Sequence, residues 1–125
     1  MPFELTVPGA ILFARVFGVF TAADLNDLAK QAEIAEASQP NSLDRIADMT
    51  AVERFDVGFR EIYSFAIRRG SQRFSRVVKS AIVVRRPAQF GIARMYEAIK
   101  ENPQIQLRIV RSVAEAYAWF DDQRT

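Results

Sequence analysis

Two carboxylates and a hydroxyl, Asp48, Thr50 and Asp56, stand close together in the middle of the chain, with Gly58 just beyond. Ligands of an open α/β sheet collect beyond the carboxyl ends of its strands. Carboxylates at such a place could hold Mg²⁺ through oxygen or divide acid and base roles between them. The plainer alternative is local. Asp48 and Thr50 would end a strand, and Asp56 would cap the following helix through its free N–H groups.

A second group is basic. Arg68, Arg69, Arg73 and Arg76 crowd the end of a helix and the turn after it. The negative end of the helix dipole favours cations there. Together they could also bind an anion such as phosphate or an anionic lipid. Charge is segregated along the chain: residues 1–61 carry a balance of −5, residues 62–96 hold eight basic side chains and no acid, and residues 97–125 return to −1. Arg85 and Arg86 belong to the acid-free segment but follow the next strand. If that strand is parallel to its neighbours, they lie at the opposite end of the sheet from Arg73 and Arg76. This argues against a continuous nucleic-acid groove.

The chain contains no histidine and no cysteine. Ser-His-Asp and Cys-His chemistry, structural zinc, and haem or iron–sulfur ligation in their usual forms are therefore excluded. No cofactor, no metal and no catalytic residue is expected. A carboxylate-based activity through Asp48 and Asp56 is the remaining enzymatic option.

The elements that position these residues follow from pattern. Phe3 to Val7 alternates as a half-buried strand does. Pro8-Gly9 makes a tight turn, and Ala10 to Val19 completes a hairpin. Thr21 and Asp24 open a helix to about Ala37, with Leu25, Leu28, Ala29, Ala32 and Ala35 on one face. A strand from Leu43 to Met49 leads to a loop through Asp56. A second helix carries an apolar stripe of Phe59, Ile62, Tyr63, Ala66 and Ile67. Val77 to Val84 reads as a central parallel strand, buried on both faces. A third helix spans about Ala88 to Glu101. Gly91 near its start suits close packing on the sheet, or close approach of a ligand phosphate. Ile105 to Val110 is a strand, and Ser112 and Glu115 cap the last helix. Trp119 and Phe120 read as core cover. Tyr63, Tyr96 and Tyr117 read as amphipathic residues at the core edge.

The order is ββαβαβαβα, an α/β class with a mixed, mostly parallel sheet, an N-terminal antiparallel hairpin and about four helices. The length of 125 residues suits a single domain over residues 1–125. No stretch approaches the ~20 apolar residues of a membrane span. Met1-Pro2-Phe3-Glu4 lacks the features of a signal peptide, so a cytoplasmic location is expected.

Val83-Val84 followed by Phe90-Gly91-Ile92-Ala93-Arg94-Met95-Tyr96-Glu97 resembles the third-helix signature of small SpoIIAA-like proteins of the STAS superfamily. The ending Ile109-Val110-Arg111-Ser112-Val113-Ala114-Glu115-Ala116-Tyr117-Ala118-Trp119-Phe120 is similar to theirs, as is the first half with its strand ending in Asp48-Met49-Thr50. The resemblance implies a bacterial protein with a SpoIIAA-like fold, related to the CRAL-TRIO lipid-binding domains. Anti-sigma-factor antagonists of the superfamily carry a phosphorylatable Ser or Thr after an Asp at the start of the second helix. Here Asp56 matches, but Val57 and Gly58 take the hydroxyl positions, so that phosphorylation switch cannot run at this site. The expectation is a non-enzymatic regulatory module that contacts a protein partner or binds a small apolar or anionic ligand. The alternative is a carrier of a lipid or other apolar ligand. Self-association is expected if the first strand leaves a sheet edge open.

Overall fold

The computed structural model describes residues 2–122; Met1 and residues 123–125, which the single-domain expectation includes, lie outside them. Five strands alternate with four helices: β1 (Phe3–Thr6), β2 (Ile11–Thr21), α1 (Ala22–Ala37), β3 (Asp44–Asp56), α2 (Phe59–Gly70), β4 (Val78–Val83), α3 (Pro87–Ile99), β5 (Ile105–Val110) and α4 (Val113–Asp121). The sheet order is β1-β2-β3-β4-β5. β1 runs antiparallel to β2, and the other pairings are parallel. The expected order and fold class are therefore present. Among the described residues, no helix is long and apolar enough to cross a membrane.

Local chemistry explains the boundaries. Gly9 takes a φ of +67° in the first turn, a conformation that costs a side chain energy. Thr21 and Asp24 form a reciprocal cap: Asp24 N–H donates to Thr21 Oγ1 at 3.3 Å, and Thr21 N–H donates to Asp24 Oδ2 at 2.9 Å. At α4, Glu115 N–H donates to Ser112 Oγ at 3.1 Å. β4 lies between β3 and β5 and is buried on both faces: Ala81, Ile82, Val83 and the following Val84 are all buried. The sheet separates two apolar layers. Helices α1, α2 and α3 cover one face over Ala14, Val16, Met49, Val52, Ile82 and Val84. Helix α4 covers the other with Ala116 and Trp119 on Ile46, Ala81, Val83 and Val110.

The largest departure from expectation is β3. The stretch expected as a loop through Asp56 is strand, because residues Ala51–Asp56 pair with Phe17–Thr21 of β2. Two register shifts place extra residues in β3, after Arg15 and after Gly18 of its partner. The first bulge is stapled by Asp48, whose Oδ1 accepts from Thr50 N–H at 3.0 Å and Thr50 Oγ1 at 2.8 Å. Gly18 lies at the second, with φ +69°.

β4 does not extend far enough to pair with the end of β3. A side chain substitutes for it. Gln89 is 1% exposed, and its Nε2 donates to Thr50 O at 3.3 Å and Val52 O at 3.0 Å. Its Oε1 accepts from Arg85 N–H at 2.8 Å and Arg86 N–H at 3.0 Å, which also caps α3.

Helix α2 is rotated relative to the expected stripe. Ile62 and Ala66 are buried with Arg69, and Phe65 packs against the core. Phe59, Tyr63 and Ile67 face outward instead. Gly91 is exposed, and a Cβ there would meet nothing within 4 Å, so close packing on the sheet is not the reason for this glycine.

Candidate functional site

The helices on the α1–α3 face do not fill the space above the sheet. A cavity of about 120 Å³ lies between them. Its walls are mostly apolar, among them Leu12, Ala14, Leu28, Met49, Ile82 and Ala93. Ala14 on β2 and Ala93 on α3 are the small side chains these two elements place in its wall. Arg45, Arg69, Ser80 and Tyr96 also line it.

Arg45 and Ser80 are paired register positions near the amino ends of β3 and β4. Arg69 comes from the last turn of α2, and Glu36 from the end of α1. The two guanidinium groups share one carboxylate. Arg45 Nε donates to Glu36 Oε2 at 3.0 Å. Arg69 grips the same carboxylate with two bonds, Nη1 to Oε1 at 2.8 Å and Nη2 to Oε2 at 3.0 Å. This forked geometry is the strong form of an ion pair. Arg45 also donates to Arg69 O at 3.1 Å and Gln72 Oε1 at 3.3 Å, and it stacks on Phe74 at 5.1 Å.

Burial shapes the electrostatics. Desolvation pushes Glu36 upward, but its bonds to Arg69 and Arg45 outweigh that and hold its pKa below the usual value. Desolvation, reinforced by Arg69, lowers the pKa of Arg45. Burial raises the pKa of the Tyr96 phenol, so it stays neutral near pH 7. Beyond this cluster lies a wider surface cleft of about 370 Å³, bordered by Glu36, Gln72, Arg73 and Phe74. The cluster forms a wall between the two spaces.

The structure does not unite the expected carboxylates. Asp48 and Asp56 sit eight positions apart on one strand, which spaces them by roughly 20–26 Å at the usual rise. Asp48 staples the bulge with Thr50. Asp56 does not cap α2; Gly58 occupies the cap, and its N–H donates to Glu61 Oε1 at 3.0 Å. Among the described residues, no group of three or more carboxylates is placed to hold a metal ion.

The four arginines are likewise divided. Arg68 forks onto Glu33 at 2.7 and 2.8 Å, Arg69 enters the buried cluster, and Arg76 pairs with Asp44 at 2.9 Å. Arg73 is exposed on the outer cleft. Arg85 and Arg86 follow the parallel strand β4 and lie at its other end. Neither Glu36, Arg45 nor Gln89 stood out in the sequence. The available signal was the contrast between an acidic first half and an acid-free segment after it.

No family model matches the chain, and no curated protein matches it in sequence. Among solved structures, it is similar to the crystal structure of an uncharacterised protein from Shewanella loihica PV-4. That protein is described as a DUF3478 family member with a SpoIIAA-like fold. The two share 14% identity at a TM-score of 0.64, over 94% of this chain and 90% of that one. With its antiparallel hairpin, parallel strands β2 to β5 and four helices, this chain has a SpoIIAA-like fold.

Proposed function

We propose that this protein is a non-enzymatic binding module that holds a small, largely apolar ligand between the sheet and helices α1–α3. The cavity of about 120 Å³ carries the reading. Interiors are ordinarily packed to crystal density, with few voids larger than a water molecule. An apolar cavity of about 150 Å³ takes up benzene. A drug-sized ligand needs about 300 Å³ or more, which favours an occupant smaller than a whole lipid.

The test is titration with benzene followed by methyl and amide NMR. Saturable shifts at Ala14, Leu28, Ile82 and Ala93 are expected. Native mass spectrometry of the purified protein, with a denatured control, would identify a resident ligand. No shift with benzene and a ligand-free spectrum would defeat the reading.

A second reading, contact with a protein partner, is favoured by the outward row on α2. Phe59, Tyr63 and Ile67 are 60%, 47% and 40% exposed, and Phe59 and Tyr63 stack at 6.1 Å. Apolar groups gathered on a surface mark interaction sites. Replacing all three with Ser and comparing sedimentation with the parent would show whether the row joins copies of the chain.

A further inference from the structure

The polar end of the cavity has an unequal charge count. Two guanidinium groups, 8% and 6% exposed at the side chain, meet one carboxylate that is 12% exposed. Gln72 is neutral, Tyr96 stays protonated, and neighbouring Glu33 is taken by Arg68. The cluster carries a formal excess of one positive charge beside an apolar space. Buried charge is costly unless it is paired. The named hydrogen bonds use three of the five N–H groups of Arg45 and two of the five of Arg69.

We infer that the ligand of this cavity is a small carboxylate, its apolar body on Leu12, Ala14 and Ile82 and its anionic head toward Arg45 and Arg69. This rests on the binding function proposed above and adds the chemistry of the head group. The volume admits a body about the size of benzene, as in a short branched or aromatic acid. Ser80 lines the same wall and offers a hydroxyl. The competing counter-charge is the protein's own: the carboxyl ends of α1 and α2 each contribute about half a negative charge. If these suffice, a carboxylate gains nothing over a neutral amide.

The experiment compares three probes on the wild-type chain by NMR: benzene, 3-methylbutanoate and its neutral isostere 3-methylbutanamide. The acid is expected to bind about tenfold or more tightly than the amide, the value of a hydrogen bond to a charged group. It should shift the Nε–H signals of Arg45 and Arg69 together with the cavity methyls. Benzene binding with equal affinity for acid and amide would overturn the carboxylate proposal and leave the cavity reading standing. No binding by any probe would overturn both. Shifts confined to Arg73 and other surface arginines would overturn the proposal in favour of surface ion pairing. Ala93→Leu, which fills the space, should remove cavity binding of every probe. The wild-type series decides the matter even if that variant does not fold.

Discussion

Replacing Gln89 with Leu removes four hydrogen bonds while nearly keeping the volume. The bond to Val52 O is buried, and leaving that carbonyl unsatisfied costs about 1–3 kcal/mol. The bonds to Thr50 O, Arg85 N–H and Arg86 N–H are partly buried, where water can substitute in part; each adds about 0.5 kcal/mol. The total is about 3 kcal/mol, or a fall in Tm of roughly 10–15 °C. Urea unfolding followed by the fluorescence of Trp119, the only tryptophan, measures it. The midpoint should drop by about 1–3 M at unchanged slope. Gln89→Glu sharpens the test. At neutral pH its carboxylate still accepts from the two amides but faces two carbonyls with no donor. At acid pH the protonated carboxyl regains a donor, so its deficit relative to the parent at the same pH should shrink. A loss below about 1 kcal/mol for the Leu variant would refute the role of Gln89 as a substitute strand.

Acid should weaken the fold through Glu36. Its folded pKa is held below the unfolded value of 4.5, so its contribution is present above that pH and is lost as pH falls through the lower folded value. Urea midpoints should therefore decline below pH 4.5, and a flat profile to pH 3 would contradict the pairing. Two glycines should respond with opposite signs. Gly18→Ala places a side chain at φ +69° with nothing within 4 Å, so the cost is purely conformational, about 1–2 kcal/mol. Gly91→Ala meets open space inside α3 and should stabilise by about 0.5–1 kcal/mol; thermal melts of the two variants check both. Ala93→Leu should keep or raise Tm while abolishing benzene shifts, and retained shifts would place benzene elsewhere.

Contiguous signals were legible in the sequence. Thr21 with Asp24, Pro8-Gly9, Ser112 with Glu115 and the Ala81–Val84 run each act within a few residues, and each made the expected element. The end of β3 was not legible. Thr50 to Asp56 carries Glu53, Arg54 and Asp56, and its strand character comes from β2 on one side and Gln89, distant in sequence, on the other. The buried face of α2 differs from its apolar periodicity for a related reason. Periodicity counts apolar residues, but Arg69 is buried because Glu36 of α1 meets it, and Phe59, Tyr63 and Ile67 are left outside. The arginine group illustrates the same limit. Arg68, Arg69 and Arg76 looked like one surface until their partners Glu33, Glu36 and Asp44, all from the acidic first half, were in place.

That cross-chain pairing also bears on function. Acidic α1 and basic α2 attract one another, and a cluster that only tied them together would be satisfied with one base for one acid, as in the half-buried Arg68–Glu33 pair. The buried cluster has a second base, and it lies where the core is left unfilled. Closed off from solvent, a space of about 120 Å³ forgoes up to about 3 kcal/mol relative to a filled core, a large part of a domain's net stability. Ligand-binding proteins commonly give up stability at their sites, and an occupant returns part of it by mass action. An apolar hollow alone would suit any small hydrocarbon, and a surplus guanidinium alone could be satisfied by helix ends. Their coincidence on one wall favours an occupant that is apolar at one end and anionic at the other.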